Sequence, residues 1–124
     1  MTDQEVFDKV VTHLLSMKEM SAVDGSCAYR GQGGAQCAVG CLIPDEVYTR
    51  KMEGHTVDTL LDLFETAPIK WFRDHLRLLT NLQGVHDGYR SWNLPDGGLN
   101  TIGRNKLRGI AREAGLHYRH LLGV

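Results

Sequence analysis

Cys27-Ala-Tyr-Arg-Gly-Gln-Gly-Gly-Ala-Gln-Cys37-Ala-Val-Gly-Cys41-Leu-Ile-Pro-Asp-Glu46 is the stretch whose reading decides the fold. It holds all three cysteines of the chain and four of its glycines. Cys27 to Arg30 reads as a short strand, and the glycines from Gly31 to Gly34 permit a tight reversal because they tolerate φ > 0. Cys37 to Ile43 is apolar and demands burial. Periodicity leaves it open between a strand and a short buried helix, and the small Ala38 and Gly40 favour a helix. The block therefore predicts a hairpin fastened to a core.

Around it the pattern is helical. Thr2-Asp-Gln-Glu5 has the form of a capping box, and Val6, Phe7, Val10, Val11, Leu14 and Leu15 follow on one face to about Met17. Ser21 to Ser26 reads as a polar turn around Asp24-Gly25. Beyond the block, Pro44-Asp-Glu46 suits a helix start, with Tyr48 and Met52 four residues apart. Thr56 is placed to cap a helix carrying Val57, Leu60, Leu61 and Phe64. Pro68 opens the next, which is apolar on two sides (Ile69, Phe72, Leu76, Leu79; Trp71, Leu78, Leu82) and so belongs in the core. Gly84 to Asn93 interrupts the pattern, and the glycine-rich run from Leu94 to Leu99 reads as a turn. Asn100 or Thr101 starts a last clear helix with Leu107, Ile110, Ala111 and Ala114 facing inward, closed by Gly115.

Composition agrees with one soluble domain over residues 1–124. Hydrophobic residues make up 42%, charged residues 23%, and the formal net charge is -1. No apolar run has membrane-spanning length, so no membrane partner is expected. The weak net charge gives no whole-surface field to attract nucleic acid, although Arg104, Lys106, Arg108, Arg112 and Arg119 make the C-terminal quarter basic. An odd number of cysteines behind an acidic N-terminus points to free thiols and a cytoplasmic, reducing setting.

Cys27-x-Tyr-Arg-Gly, the Cys37-Ala-Val-Gly-Cys-Leu-Ile-Pro-Asp-Glu46 block and Glu53-Gly54 together resemble a family of small phage and prophage proteins. A broader bacterial group shares a Cys-Ala-x-Gly-Ala block followed late by Trp-Asn, here Trp92-Asn93. This chain differs from that group in carrying Cys41 where alanine is usual. The resemblance implies a small, mainly helical domain of mobile-element origin, and it implies no reaction.

Four constellations bear on function. Three thiols with His55 or His86 are the right ligand types for zinc, but nine residues separate the first cysteine pair and there is no C-x-x-C knuckle. Cys37 near a helix N-terminus, with His86 as base and Asp87 or Asn93 as orienter, follows the chain order of papain-like hydrolases. Against this, the apolar flanks of Cys37 favour an inert thiol. His86-Asp87 with His55 and Asp96 is reminiscent of metal-dependent phosphohydrolases, although the signal is a dipeptide. Finally, Tyr29, Arg30, His86, Asp87, Arg90, Trp92 and Asn93 fall outside the regular helical pattern. Loops on a rigid scaffold gather binding residues, so this set forms a candidate cleft for a nucleotide-like anion, with guanidinium on phosphate and aromatic ring on base. In the plainer alternative, Trp92 plugs the edge of the core and Arg30 pairs with Asp45 or Glu46.

The sequence thus predicts a compact, mainly α bundle of about five helices with one short hairpin. The expected function is a non-enzymatic, phage-type accessory protein without cofactor or metal. It would bind a host protein or a nucleotide-like small molecule, with a host-modulating or anti-defence role, and could be a homo-oligomer. The competing reading is a small hydrolase using Cys37 with His86, or a metal at His86-Asp87.

Overall fold

The polypeptide begins as its first five residues dictate. In a computed structural model, which describes residues 1–23, 26–64, 67–93 and 97–124, Thr2 Oγ1 accepts from the Glu5 amide at 3.2 Å and Glu5 Oε1 accepts from the Thr2 amide at 3.0 Å. This reciprocal pair satisfies two otherwise orphaned donors and starts helix α1, Asp3–Ser16. Its face of Val6, Phe7, Val10, Val11 and Leu14 is fully buried. The expected turn at Asp24-Gly25, and Leu94, Pro95 and Asp96 of the later turn, lie outside the described residues.

Among the described residues five further helices follow: α2 Val57–Leu63, α3 Ala67–Lys70, α4 Leu76–Asp87, α5 Thr101–Ala114 and α6 Arg119–Leu122. A 3-10 turn, Trp71–His75, joins α3 to α4. Helix α4 packs against α1, α2 and α5. Its buried Leu78, Leu79, Leu82 and Val85 meet Phe7, Leu60, Phe72 and Leu107 in one apolar core. A leucine-sized side chain buried there contributes about 1.5–3 kcal/mol. Helix α5 is capped by Asn100 Oδ1, which accepts from the Gly103 amide at 2.9 Å. It ends at Gly115, whose φ of 70° is left-handed, with the Leu116 amide donating to Ala111 O at 2.8 Å. Leu107 and Ala111 face inward as expected, whereas Ala114 is exposed. The fold is thus mainly α, with one minor antiparallel sheet. Among the described residues no helix is long and apolar enough to cross a membrane.

The hairpin forms, but not where the sequence places it. The paired strands are β1 Ala22–Val23 and β2 Ser26–Cys27, antiparallel, with Ala22 opposite Cys27. The Cys27–Cys37 segment does reverse through Gln32–Gly34, where Gly33 and Gly34 have φ of 66° and 79°. It closes with only a single bridge between Arg30 and Gln36. The cause is a carboxylate: Glu53 accepts the Tyr29 amide on Oε1 at 2.8 Å and the Arg30 amide on Oε2 at 3.1 Å. The Tyr29 amide, which the next rung would aim at Cys37 O, is therefore already satisfied, and Cys37 O accepts from the Cys41 amide instead.

Cys37 to Ile43 resolves as a helical turn rather than a strand. The Cys41 amide donates to Cys37 O at 3.1 Å, Leu42 to Val39 O at 2.9 Å and Ile43 to Gly40 O at 3.2 Å. Gly40 lies against the Tyr29 backbone, closer than any side chain would allow. The pattern break expected from Gly84 does not occur, and α4 runs through Gly84, Val85, His86 and Asp87.

Candidate functional site

The last turn of α4 carries the residues that bring chemistry-bearing groups together. His86 is fully buried, not half exposed as a loop position would be. Its Nε2 lies 2.9 Å from the Ser21 amide nitrogen. A backbone N–H can only donate, so Nε2 must accept and the ring proton must sit on Nδ1. Nδ1 in turn faces Asp87 Oδ1 at 2.8 Å. The backbone carbonyl of His86 accepts from Trp92 Nε1 at 2.9 Å, and the two rings pack edge to face with centroids 5.8 Å apart. One residue thereby ties the start of the hairpin, the end of α4 and the segment after it, and both of its ring nitrogens are engaged.

Cys27, His86 and Asp87 form a group of three potential metal-ligating atoms lying within 4.8 Å of one another. The imidazole does not fit that role. A metal on Nδ1 would require the proton on Nε2, where it would confront the Ser21 N–H donor-to-donor. The thiol does not fit well either: burial first, and then the Asp87 charge, push Cys27 up to about 11, whereas a ligating thiol must ionise. Three cysteines meeting at one zinc are not seen among the described residues.

Cys37, the nucleophile of the competing hydrolase reading, lies in the buried environment that its apolar flanks favour. Its side chain is 1% exposed and its Sγ accepts from the Gly40 amide at 3.2 Å. Burial pushes the thiol up to about 12, against the helix-terminus effect that would lower it. The sulfur beside His86 and Asp87 is that of Cys27 instead, an exposed residue of β2. Its elevated position leaves little thiolate at neutral pH, and the Nε2 lone pair that a general base needs is held by Ser21.

The cleft drawn from the sequence assembles only in part. Tyr29 and Asp87 line a cavity of about 340 Å³ between the hairpin, residues 53–57 and α4. Tyr29 is itself nearly buried, donating its hydroxyl to His55 O at 2.6 Å. Arg30 is committed elsewhere. It forms an ion pair with Asp45, donates to Ile43 O and lies 5.1 Å from the centre of the Tyr48 ring. His86 and Trp92 are buried structural groups, and the plainer reading of Trp92 and Arg30 is the one observed. Arg90 and Asn93 are exposed and do not line the cavity.

Several wall residues escape a sequence reading centred on loops. Thr80, Gln83, Gly84 and Asp87 follow one another at helical spacing, a polar stripe on one side of α4 that looks into the cavity. That spacing was visible in the sequence once Gly84 was not taken as a break. Gln83 joins two walls, accepting from the Val39 amide at 3.0 Å and donating to Asp87 Oδ1 at 2.7 Å. Glu53, which also accepts from the Tyr48 hydroxyl, closes the opposite side. Across Glu53-Gly54 lies a neighbouring depression of about 400 Å³, lined in part by Arg30, Tyr48 and Arg50.

No protein-family model, curated protein or solved structure matches this chain.

Proposed function

We propose that this protein is a non-catalytic binding protein whose ligand enters the cavity between the hairpin, Glu53 and the polar stripe of α4. The observation that carries the reading is the contrast around His86. The imidazole that acid–base or metal chemistry would need is buried with both nitrogens hydrogen-bonded, while an open, largely preformed cavity lies beside it. At about 340 Å³ the cavity is within the range of small-ligand sites.

The motif resemblance of the Cys27–Glu46 block supports placing the protein among phage-type accessory proteins that act on a host component, either a protein or a small molecule. For a nucleotide-like anion the neighbouring depression offers Arg50, with Arg30 beside it already paired to Asp45, whereas the described wall of the cavity offers no arginine or lysine. The hydrolase reading loses its support with the burial of Cys37 and the engagement of His86.

Native mass spectrometry of protein purified under mild conditions tests the proposal. A non-covalent small-molecule adduct on the 13.9 kDa chain, lost when the cavity is filled by Gly84→Leu, is the expected result. Turnover of ester or phosphoester substrates that disappears in Cys27→Ala or His86→Gln would overturn it.

A further inference from the structure

The proposal that the cavity is a ligand site leaves the chemistry of the ligand open, and the wall narrows it. No lysine or arginine is among the described residues lining the cavity, and two carboxylates are: Glu53 and Asp87. They differ in what they still offer. Glu53 is taken up by the Tyr29 amide, the Arg30 amide and the Tyr48 hydroxyl. Asp87 is 43% exposed at its side chain, and the bonds from His86 Nδ1 and Gln83 Nε2 both fall on Oδ1. Oδ2 takes neither of them, and the Cys27 thiol beside the same carboxylate carries no charge to neutralise it. Among the described residues His55 is the one histidine on the wall.

Resting on the reading above, we infer that the cavity takes a small organic cation, a primary alkylammonium or guanidinium, with the Asp87 carboxylate as counter-ion and the walls around Tyr29 and Val57 receiving its apolar stem. A carboxylate on the wall of a partly enclosed site favours a cation that can donate hydrogen bonds and opposes a phosphate. The thiols on the wall sense the same field. After burial, which is the larger cause, the Asp87 charge adds to the upward shift of Cys27 and Cys37. A positive ligand would relieve that field, so Cys27 offers a built-in reporter.

The test is a titration of the full chain, followed by amide NMR, with four probes: n-butylammonium, 4-guanidinobutylamine, the isosteric neutral n-butanol and inorganic phosphate. The expected result is saturable shifts at Cys27, Gly54, Thr80 and Gly84 from the two cations alone. Asp87→Asn, which keeps the oxygen that His86 and Gln83 use, should weaken binding at least tenfold. Gly84→Leu, whose side chain would enter open space, should abolish binding in a folded protein. Equal shifts from n-butanol, or shifts from phosphate alone, would overturn the cation and leave the site. An unchanged affinity in Asp87→Asn would also overturn the cation. If no probe moves these amides and natively purified protein carries no adduct, both the cation and the binding site fall.

Discussion

Replacing Gly40 by alanine should break the contact on which the Cys27–Glu46 block is built. A Cβ at position 40 would lie 2.1 Å from Tyr29 O, 2.9 Å from Tyr29 C and 3.1 Å from Tyr29 Cα. All three atoms are backbone, so no side-chain rotation relieves the overlap. Nor can Tyr29 withdraw freely, since its amide is held by Glu53 at 2.8 Å, its hydroxyl by His55 O at 2.6 Å and its carbonyl by the Cys37 amide at 3.4 Å. Overpacking alone costs about 1–3 kcal/mol, and each hydrogen bond loosened as the chain shifts adds about 1 kcal/mol. A loss of about 3 kcal/mol follows, a large fraction of the roughly 5–15 kcal/mol that holds a domain together. At about 4 °C per kcal/mol for a chain of this size, Tm should fall by about 10 °C or more. Urea unfolding followed by circular dichroism reads the free energy directly. Gly84→Ala is the matched control: its Cβ meets nothing within 4 Å and it lies inside α4, so it should gain up to about 1 kcal/mol from helix propensity. A Gly40→Ala protein within about 0.5 kcal/mol of the parent would refute the close approach of the two segments.

Three further outcomes follow from the same geometry. His86→Ala should cost about 3 kcal/mol in urea unfolding, because it leaves the buried Ser21 amide without its acceptor and removes the ring packed on Trp92; a loss below about 1 kcal/mol would show that His86 is no hub. Stability should hold steady to about pH 9 and then decline towards pH 12. Over that window the unfolded Cys37 thiol, with its ordinary value of 9.0, has lost its proton while the folded one, raised to about 12, retains it. The unfolded state then binds fewer protons, so unfolding becomes easier as pH rises, by up to about 1.4 kcal/mol per unit from this group; the raised Cys41 and Tyr48 act in the same sense, so Cys37→Ala should make the decline shallower without removing it, and an unchanged slope would contradict the buried thiol. Iodoacetamide at pH 8 should label native Cys27 slowly and Cys37 not at all. Raising Cys27 from 9.0 to about 11 lowers its thiolate about a hundredfold, and peptide mass spectrometry showing Cys37 labelled first would reverse the assignment.

What could be read from the sequence was what depends on neighbours along the chain. The Thr2–Glu5 capping box, the α1 face, the Asn100 cap and the Gly115 terminus each involve residues a few positions apart, where stereochemistry alone decides. Even the ambiguous Cys37–Ile43 run was legible in part, since the small Gly40 did announce a close approach, though to the Tyr29 backbone rather than to another helix. The site was less legible because it is made by distant partners. Cys27 reaches Asp87 across sixty positions, and nothing near it in the chain signals that contact. Glu53 ends the Arg30–Gln36 ladder at one bridge by taking the Tyr29 amide, a contact that no pattern of apolar residues encodes. Propensity alone makes Gly84 a break, but helix packing and the bonds at His86 carry α4 past it.

The ring ¹⁵N spectrum of His86 in the folded protein at neutral pH tests most directly whether this is a binding site rather than a catalytic one. A protonated Nδ1 and an unprotonated Nε2, both unchanged when zinc is added, are the result this account requires. A protonated Nε2, or ring nitrogens that respond to the metal, would contradict it.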